Sequence, residues 1–338
     1  MNLTALFDEA IERKASDIHL ASGDPPRLRI AHDLVKMECE PLDREALSEL
    51  LGPILPPEAK MRMESGSAVE RTLVHRDLAF AGIAYRFGDD GIAATFRVIS
   101  NQIPSLEKVA GDALDLFDEV AAAGHGLVLI VGPTGSGKWT TACSIVEAIN
   151  GSKAARIFVA VAHPSYRFSS KASLLTEFHV GVDCESYERA LEIAHQSDLD
   201  VIALDDLPTA DAVRQALIVA DAGHLVIANL HAENCIDALE RIFASGGPEE
   251  VALRRSLAKN LLVLTSQRLL RKKDESGRVL AYEWLRNTAE VGRALVDGDI
   301  EEIQRILDTD PECRSLGTAL DRLVTAGEVA EEAAAMYR

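Results

Sequence analysis

Residues 132–140 read GPTGSGKWT, and the first seven have the types and spacing of a phosphate-binding loop. Gly132, Gly137 and Lys138 satisfy G-x-x-x-x-G-K, with Pro133, Thr134, Gly135 and Ser136 between them. Glycines let the backbone wrap an anion, amide N–H groups and the start of the next helix supply positive potential, and the lysine reaches the terminal phosphates. The eighth residue breaks the pattern. Trp139 stands where a hydroxyl would hold Mg²⁺, and indole offers only an N–H donor. Thr140 follows, about 100° further round a helix, and is a poor substitute. No residue is assigned to a metal.

Two further stretches carry polar side chains at the ends of apolar runs. "DVIALDD" closes on Asp205 and Asp206. An apolar run ending in Asp is how many P-loop ATPases hold a metal-bound water, so Asp205 is a candidate compensation. Equally, the pair can cap a helix starting near Pro208. "HLVIANLHA" carries His224 and His231, and "VAHPSY" carries His163. Read alone, a histidine on an apolar strand is ordinarily a satisfied core residue, and His163 is read as exposed or structural.

The elements that must position these groups fall into two patterns. Leu3 to Ala15 has a helical apolar face of Leu3, Leu6, Phe7 and Ile11. Short alternating strands follow around Ile18 and Leu20, and around Leu28 and Ile30, with a helix in "DREALSELLGPIL" and a hairpin turning at 88–90. Residues 1–100 therefore predict a small α+β domain with a largely antiparallel sheet, and "SNQIPSL" a linker. From Gly126 the pattern changes. "GLVLIVG", "ARIFVAVAHP", "DVIALDD" and "HLVIANLHA" are continuous apolar strands, alternating with helices at Tyr187–His195 and Thr209–Ala222. This predicts an α/β domain over 101–338, with a parallel sheet covered on both faces. "VALRRSLAKNLLVLTSQRLLRKK" and the segment after Asp297 read as helical.

Composition limits the classes of function. The 338 residues carry 35 Lys+Arg against 54 Asp+Glu, a formal charge of -19 that repels nucleic acid. The five cysteines form no C-x-x-C pair and suggest buried thiols, not zinc or disulfides. No apolar run reaches the ~18 residues of a membrane span, and the first residues are not a signal peptide. A cytoplasmic protein is expected, with any membrane role acting through a partner.

The chain resembles the secretion ATPases of type IV pili and type II secretion, especially the pilus retraction branch. "SDIHL…GDPPRLR", "GLVLIVGPTGSGK", "AGHLVIANLHA", "SQRLLRK" and "SLGTALDRLVTAGEV" match its signatures in order. The resemblance implies a PAS-like N-terminal domain and a RecA-like P-loop domain ending in helices, with "SQRLLRK" among them. It also implies ATP or ADP bound between subunits of a hexameric ring, and a membrane platform protein as partner. His224 and His231 become nucleotide-facing positions, His231 in a sensor-like role. Arg97 is a retained arginine directed at nucleotide. The catalytic parts depart from the family. Its acidic box falls on Ala162, His163 and Tyr166, its Walker B glutamate on Asp206, and two arginines on Ala79 and Ala81. Acid–base work is typically worth ~10²–10⁴ in rate, and a trans arginine ~10³–10⁵. Losing both, with the metal ligand, predicts weak ATP or ADP binding and near-background hydrolysis. A regulatory or structural subunit is expected, in a homo-hexamer or a ring mixed with an active paralogue. The alternatives are an active twitching-motility ATPase using Asp205 and Asp206, and a nucleotide switch without turnover.

Overall fold

The computed structural model describes residues 2–30, 33–76 and 78–337, which divide into two compact units. The first holds residues 1–102 together with 163–167. Its chain runs α1 (Leu3–Glu12), β1 (Asp17–Ala21), β2 (Arg27–Ile30), β3 (Asp33–Lys36), α2 (Arg44–Leu50), α3 (Pro57–Glu64), β4 (Val69–His75), β5 (Leu78–Phe87) and β6 (Gly91–Ile99). The strands make one antiparallel sheet in the order β3-β2-β1-β6-β5-β4. One face of α1 closes its core. Phe7 stacks on Phe80 with ring centroids 3.9 Å apart and meets Phe96 edge-on at 5.3 Å. Helix α1 stops at Glu12, short of the expected Ala15, because Lys14 takes a left-handed φ of 52°.

The second unit opens with α4 (Leu106–Ala110), α5 (Leu114–Ala122), β7 (Gly126–Gly132), α6 (Lys138–Ser152), β8 (Arg156–Val161) and β9 (Leu174–His179). It continues with α7 (Tyr187–His195), β10 (Val201–Leu204), α8 (Ala210–Asp221), β11 (Leu225–His231), α9 (Cys235–Ser245) and α10 (Glu250–Asn260). It ends with β12 (Leu261–Arg271), β13 (Arg278–Arg286), α11 (Ala289–Asp297), α12 (Ile300–Thr309), α13 (Leu316–Thr325) and α14 (Glu331–Ala335). The sheet order is β13-β12-β7-β11-β10-β8-β9, parallel except where β13 joins antiparallel. Every residue of β7 is buried. Its Leu127, Leu129 and Val131 pack in one cluster with α7, α8 and α9, and alternation sends Val128 and Ile130 to the other face. The mixed α/β fold with a smaller antiparallel domain is therefore the one read from sequence.

One expected helix is largely a strand. The stretch 251–273 is helical only to Asn260; Leu261–Arg271, including "SQRLLR", is β12. It is buried on both faces between β7 and β13, so its apolar run carries no period of two to distinguish it from a helix. Strands β9 and β13 were likewise not read from the sequence.

Strand β13 is tied to two helices by a buried carboxylate. Glu283 is 5% exposed; its Oε1 accepts from the Cys235 N–H at 2.7 Å and its Oε2 from the Leu316 N–H at 3.1 Å. These are the first N–H groups of α9 and α13, which lack intrahelical partners. Glu283→Ala is expected to destabilise this unit by about 2–4 kcal/mol, because it leaves buried donors unsatisfied. Glu283→Gln, which keeps one acceptor, is expected to cost less. Urea unfolding followed by far-ultraviolet circular dichroism measures both.

Candidate nucleotide site

Strand β7 runs into the loop at Gly132, and the loop delivers the chain to α6 at Lys138. Glycine is required at both corners. Gly132 has φ 145°, and a Cβ there would lie 2.7 Å from both the Gln267 carbonyl and Ser136 Oγ. Gly137, the N-cap of α6, has φ 87°. No side chain caps α6, so its first-turn N–H groups remain to face an anion. Thr134 and Gly135 are exposed, Pro133 half-buried and Ser136 buried.

Beneath the loop, Gln267 of β12 donates its Nε2 to the Ser136 carbonyl at 2.6 Å. Nothing in the sequence marks Gln267, because it lies inside an apolar run without a period of two. Lys138 is 7% exposed and curls back, its Nζ donating to the carbonyls of Gly132 at 2.8 Å and Pro133 at 3.0 Å. Burial lowers its pKa, and the Asp206 carboxylate partly offsets that. The loop therefore fits phosphate. The donors for Mg²⁺ do not fit: the position after Lys138 is Trp139, half-buried, and the Thr141 hydroxyl is buried against Tyr282 Oη at 3.2 Å.

The two aspartates after β10 diverge. The Asp205 carboxylate accepts the Ala162 N–H at 3.1 Å (Oδ2) and the Tyr187 hydroxyl at 2.5 Å (Oδ1). Its backbone carbonyl accepts Asn229 Nδ2 at 3.2 Å. Burial beside Asp205 pushes the Tyr187 phenol well above its usual pKa. Asp205 thus spans from β10 to the end of β8, holding an N–H at the position the acidic box would occupy. Asp206 accepts the Leu207 N–H at 2.9 Å, and both His231 and Lys138 lie within electrostatic reach of it. Neither aspartate caps α8; Thr209 does, accepting from the Ala212 N–H at 3.0 Å.

The histidines separate. His231 ends β11 opposite Gly132, beside the loop. His224 precedes Leu225, which pairs with Gly126 at the other edge of the sheet, and its Nδ1 donates to the Leu199 carbonyl at 2.7 Å. Seven strand residues at ~3.3 Å each put His224 roughly 20 Å from the loop, so it does not join the nucleotide site of its own unit. Arg97 lies on β6 in the first unit, opposite Ala81, with its Nε 3.3 Å from Asp17 Oδ1. His163 and Tyr166 group with that unit too, where Tyr166 bridges Ser100.

A loop that fits phosphate, on a parallel sheet in a chain that also carries a smaller antiparallel unit, can be compared with known proteins. The family described as Type II/IV secretion system protein matches residues 91–318. The chain belongs to that family. It is 30% identical over 311 residues to the uncharacterized protein YggR of Escherichia coli K12, covering 91% of this chain and 93% of YggR. It is 27% identical over 335 residues to the type IV pilus retraction ATPase PilT of Pseudomonas aeruginosa, covering 98% and 96%. A crystal structure of the pilus retraction motor PilT with bound ADP superposes with a TM-score of 0.91 at 28% identity, covering 100% of this chain and 97% of that one. This member of the secretion family is therefore PilT-like in sequence and fold. No helix of the described residues is long and apolar enough to cross a membrane.

Asp206 gives this site a pH signature. Burial raises its pKa above the ordinary 3.8, outweighing the opposing effects of His231, the Leu207 N–H and Lys138. The folded protein then holds a proton that the unfolded chain has lost, so stability falls as pH rises from 3.8 through the raised value. Asp206→Asn keeps an acceptor for Leu207 and is expected to raise the melting temperature near neutral pH, with the gain vanishing below that window. Melting curves of both proteins across acidic to neutral pH test this.

Proposed function

We propose that this chain is a PilT-like subunit that keeps its phosphate loop, binds ATP or ADP weakly and has lost most ATP hydrolysis. It acts as a regulatory or structural member of a ring, either a homo-hexamer or one shared with an active paralogue. It works in the cytoplasm, at the inner membrane only through the platform protein of a pilus or secretion machine.

The observation that carries this reading is the engagement of Asp205. The acid best placed to compensate for the missing box instead satisfies Ala162 and Tyr187. Trp139 removes the hydroxyl that would fix a metal. The loop itself is spared, and Lys138 has only to leave two loop carbonyls to meet phosphate. One observation favours a slow ATPase instead: Asp206 stands near Lys138 and His231, and can orient a water.

Binding separates these readings. Trp139 and Trp284 are the two tryptophans, and Trp284→Phe leaves Trp139 as the fluorescent reporter. Titration is expected to show weak affinity that barely depends on Mg²⁺, does not favour ATP over ADP, and disappears in Lys138→Ala. Tight, strictly Mg²⁺-dependent ATP binding would contradict the reading. Trp139→Ser alone is expected to restore no turnover, because Ala162 and His163 still stand in the acidic box; substantial phosphate release from that variant would mean that Asp205 and Asp206 already supply the acids.

A further inference from the structure

The groove between α10 and α11 is a basic feature on a strongly acidic chain. It is a shallow, open depression of about 610 Å³ lined by Arg255, Ala258, Lys259, Gly292, Arg293 and Val296, among others. Helical spacing puts these side chains together: Arg255 and Lys259 are four apart on α10, and Arg293 and Val296 three apart on α11. Lys259 pairs with Asp221 at 2.5 Å. Arg255 and Arg293 are exposed and form no ion pair among the described residues. Two unneutralised guanidinium groups on a chain of net charge -19 call for an acidic counterpart.

Asn287 Nδ2 donates to the carbonyls of Ala258 and Leu261, both at 2.8 Å, and so ties the end of α10 to the start of α11. A Cβ at Gly292 would sit 3.3 Å from Asn287 Oδ1 and 4.0 Å from the Ala258 carbonyl of α10. A second depression, in the first unit, has its arginines satisfied: Arg44 pairs with Asp90, and Arg86 donates to the Asp89 carbonyl at 2.9 Å.

We propose that the α10–α11 groove docks an acidic segment of a partner protein, one carrying apolar side chains between its carboxylates. Small and apolar residues (Ala258, Ala289, Gly292, Val296) lie between the cations, which suits a peptide with an apolar edge. Asp297 in the lining disfavours a densely anionic membrane surface, whereas an acidic segment with apolar side chains can place its carboxylates away from it. The proposal does not depend on nucleotide binding or hydrolysis.

The test uses the full chain and a fluorescent amphipathic peptide with leucine and glutamate at helical spacing, read by anisotropy at low ionic strength. Phosphatidylglycerol vesicles and inorganic phosphate serve as alternative probes. The peptide is expected to bind, to weaken with added salt, and to lose about tenfold in affinity in the Arg255→Glu/Arg293→Glu double variant. Both sites are exposed, and an unchanged melting curve confirms that the variant folds. Absence of peptide binding, or binding that the double variant leaves unchanged, overturns the proposal. Charge-dependent capture by vesicles, or equal displacement of the peptide by phosphate, overturns it too and assigns the groove to lipid headgroups or free anions.

Discussion

A half-buried carboxylate held among donors serves the donors it touches. Asp205 holds the Ala162 N–H and the Tyr187 hydroxyl, and so links the ends of β10 and β8 to α7. In a doubly wound sheet the carboxyl ends of the strands form the ligand crevice. At that edge an internal hydrogen-bond network engages both carboxylate oxygens of Asp205. The Ala162 N–H finds its acceptor on Asp205, across from residues 162–166, which carry no acidic side chain of their own.

The phosphate loop obeys a separate constraint. Its glycines need conformations that other residues adopt only with strain, and its lysine must be satisfied while buried. Lys138 meets that need with the loop's own carbonyls, and Gln267 supports the loop from β12. None of these contacts involves residues 162–166. The folding of the loop is therefore independent of the side chains at the acidic-box positions.

The sequence made some of this legible and hid the rest for identifiable reasons. The loop was plain because its spacing is rigid and it sits between a buried strand and a helix. Strand β12 was hidden because a strand covered on both faces loses its alternation. The roles of Asp205 and Asp206 were unreadable because adjacent residues at a strand end point apart, and Tyr187, the partner that decides the matter, lies 18 residues upstream. The distance between His224 and His231 was hidden for the converse reason: seven residues of strand are one short phrase of sequence but most of the length of a strand.

The claim that the fold outlasted the reaction is tested most directly by steady-state phosphate release from ATP with Mg²⁺, comparing the unaltered chain with Lys138→Ala. The account expects the two rates to be indistinguishable and close to that of the buffer. Turnover that depends on both Lys138 and Mg²⁺ would contradict it, and would make Asp206 the acid that kept the reaction.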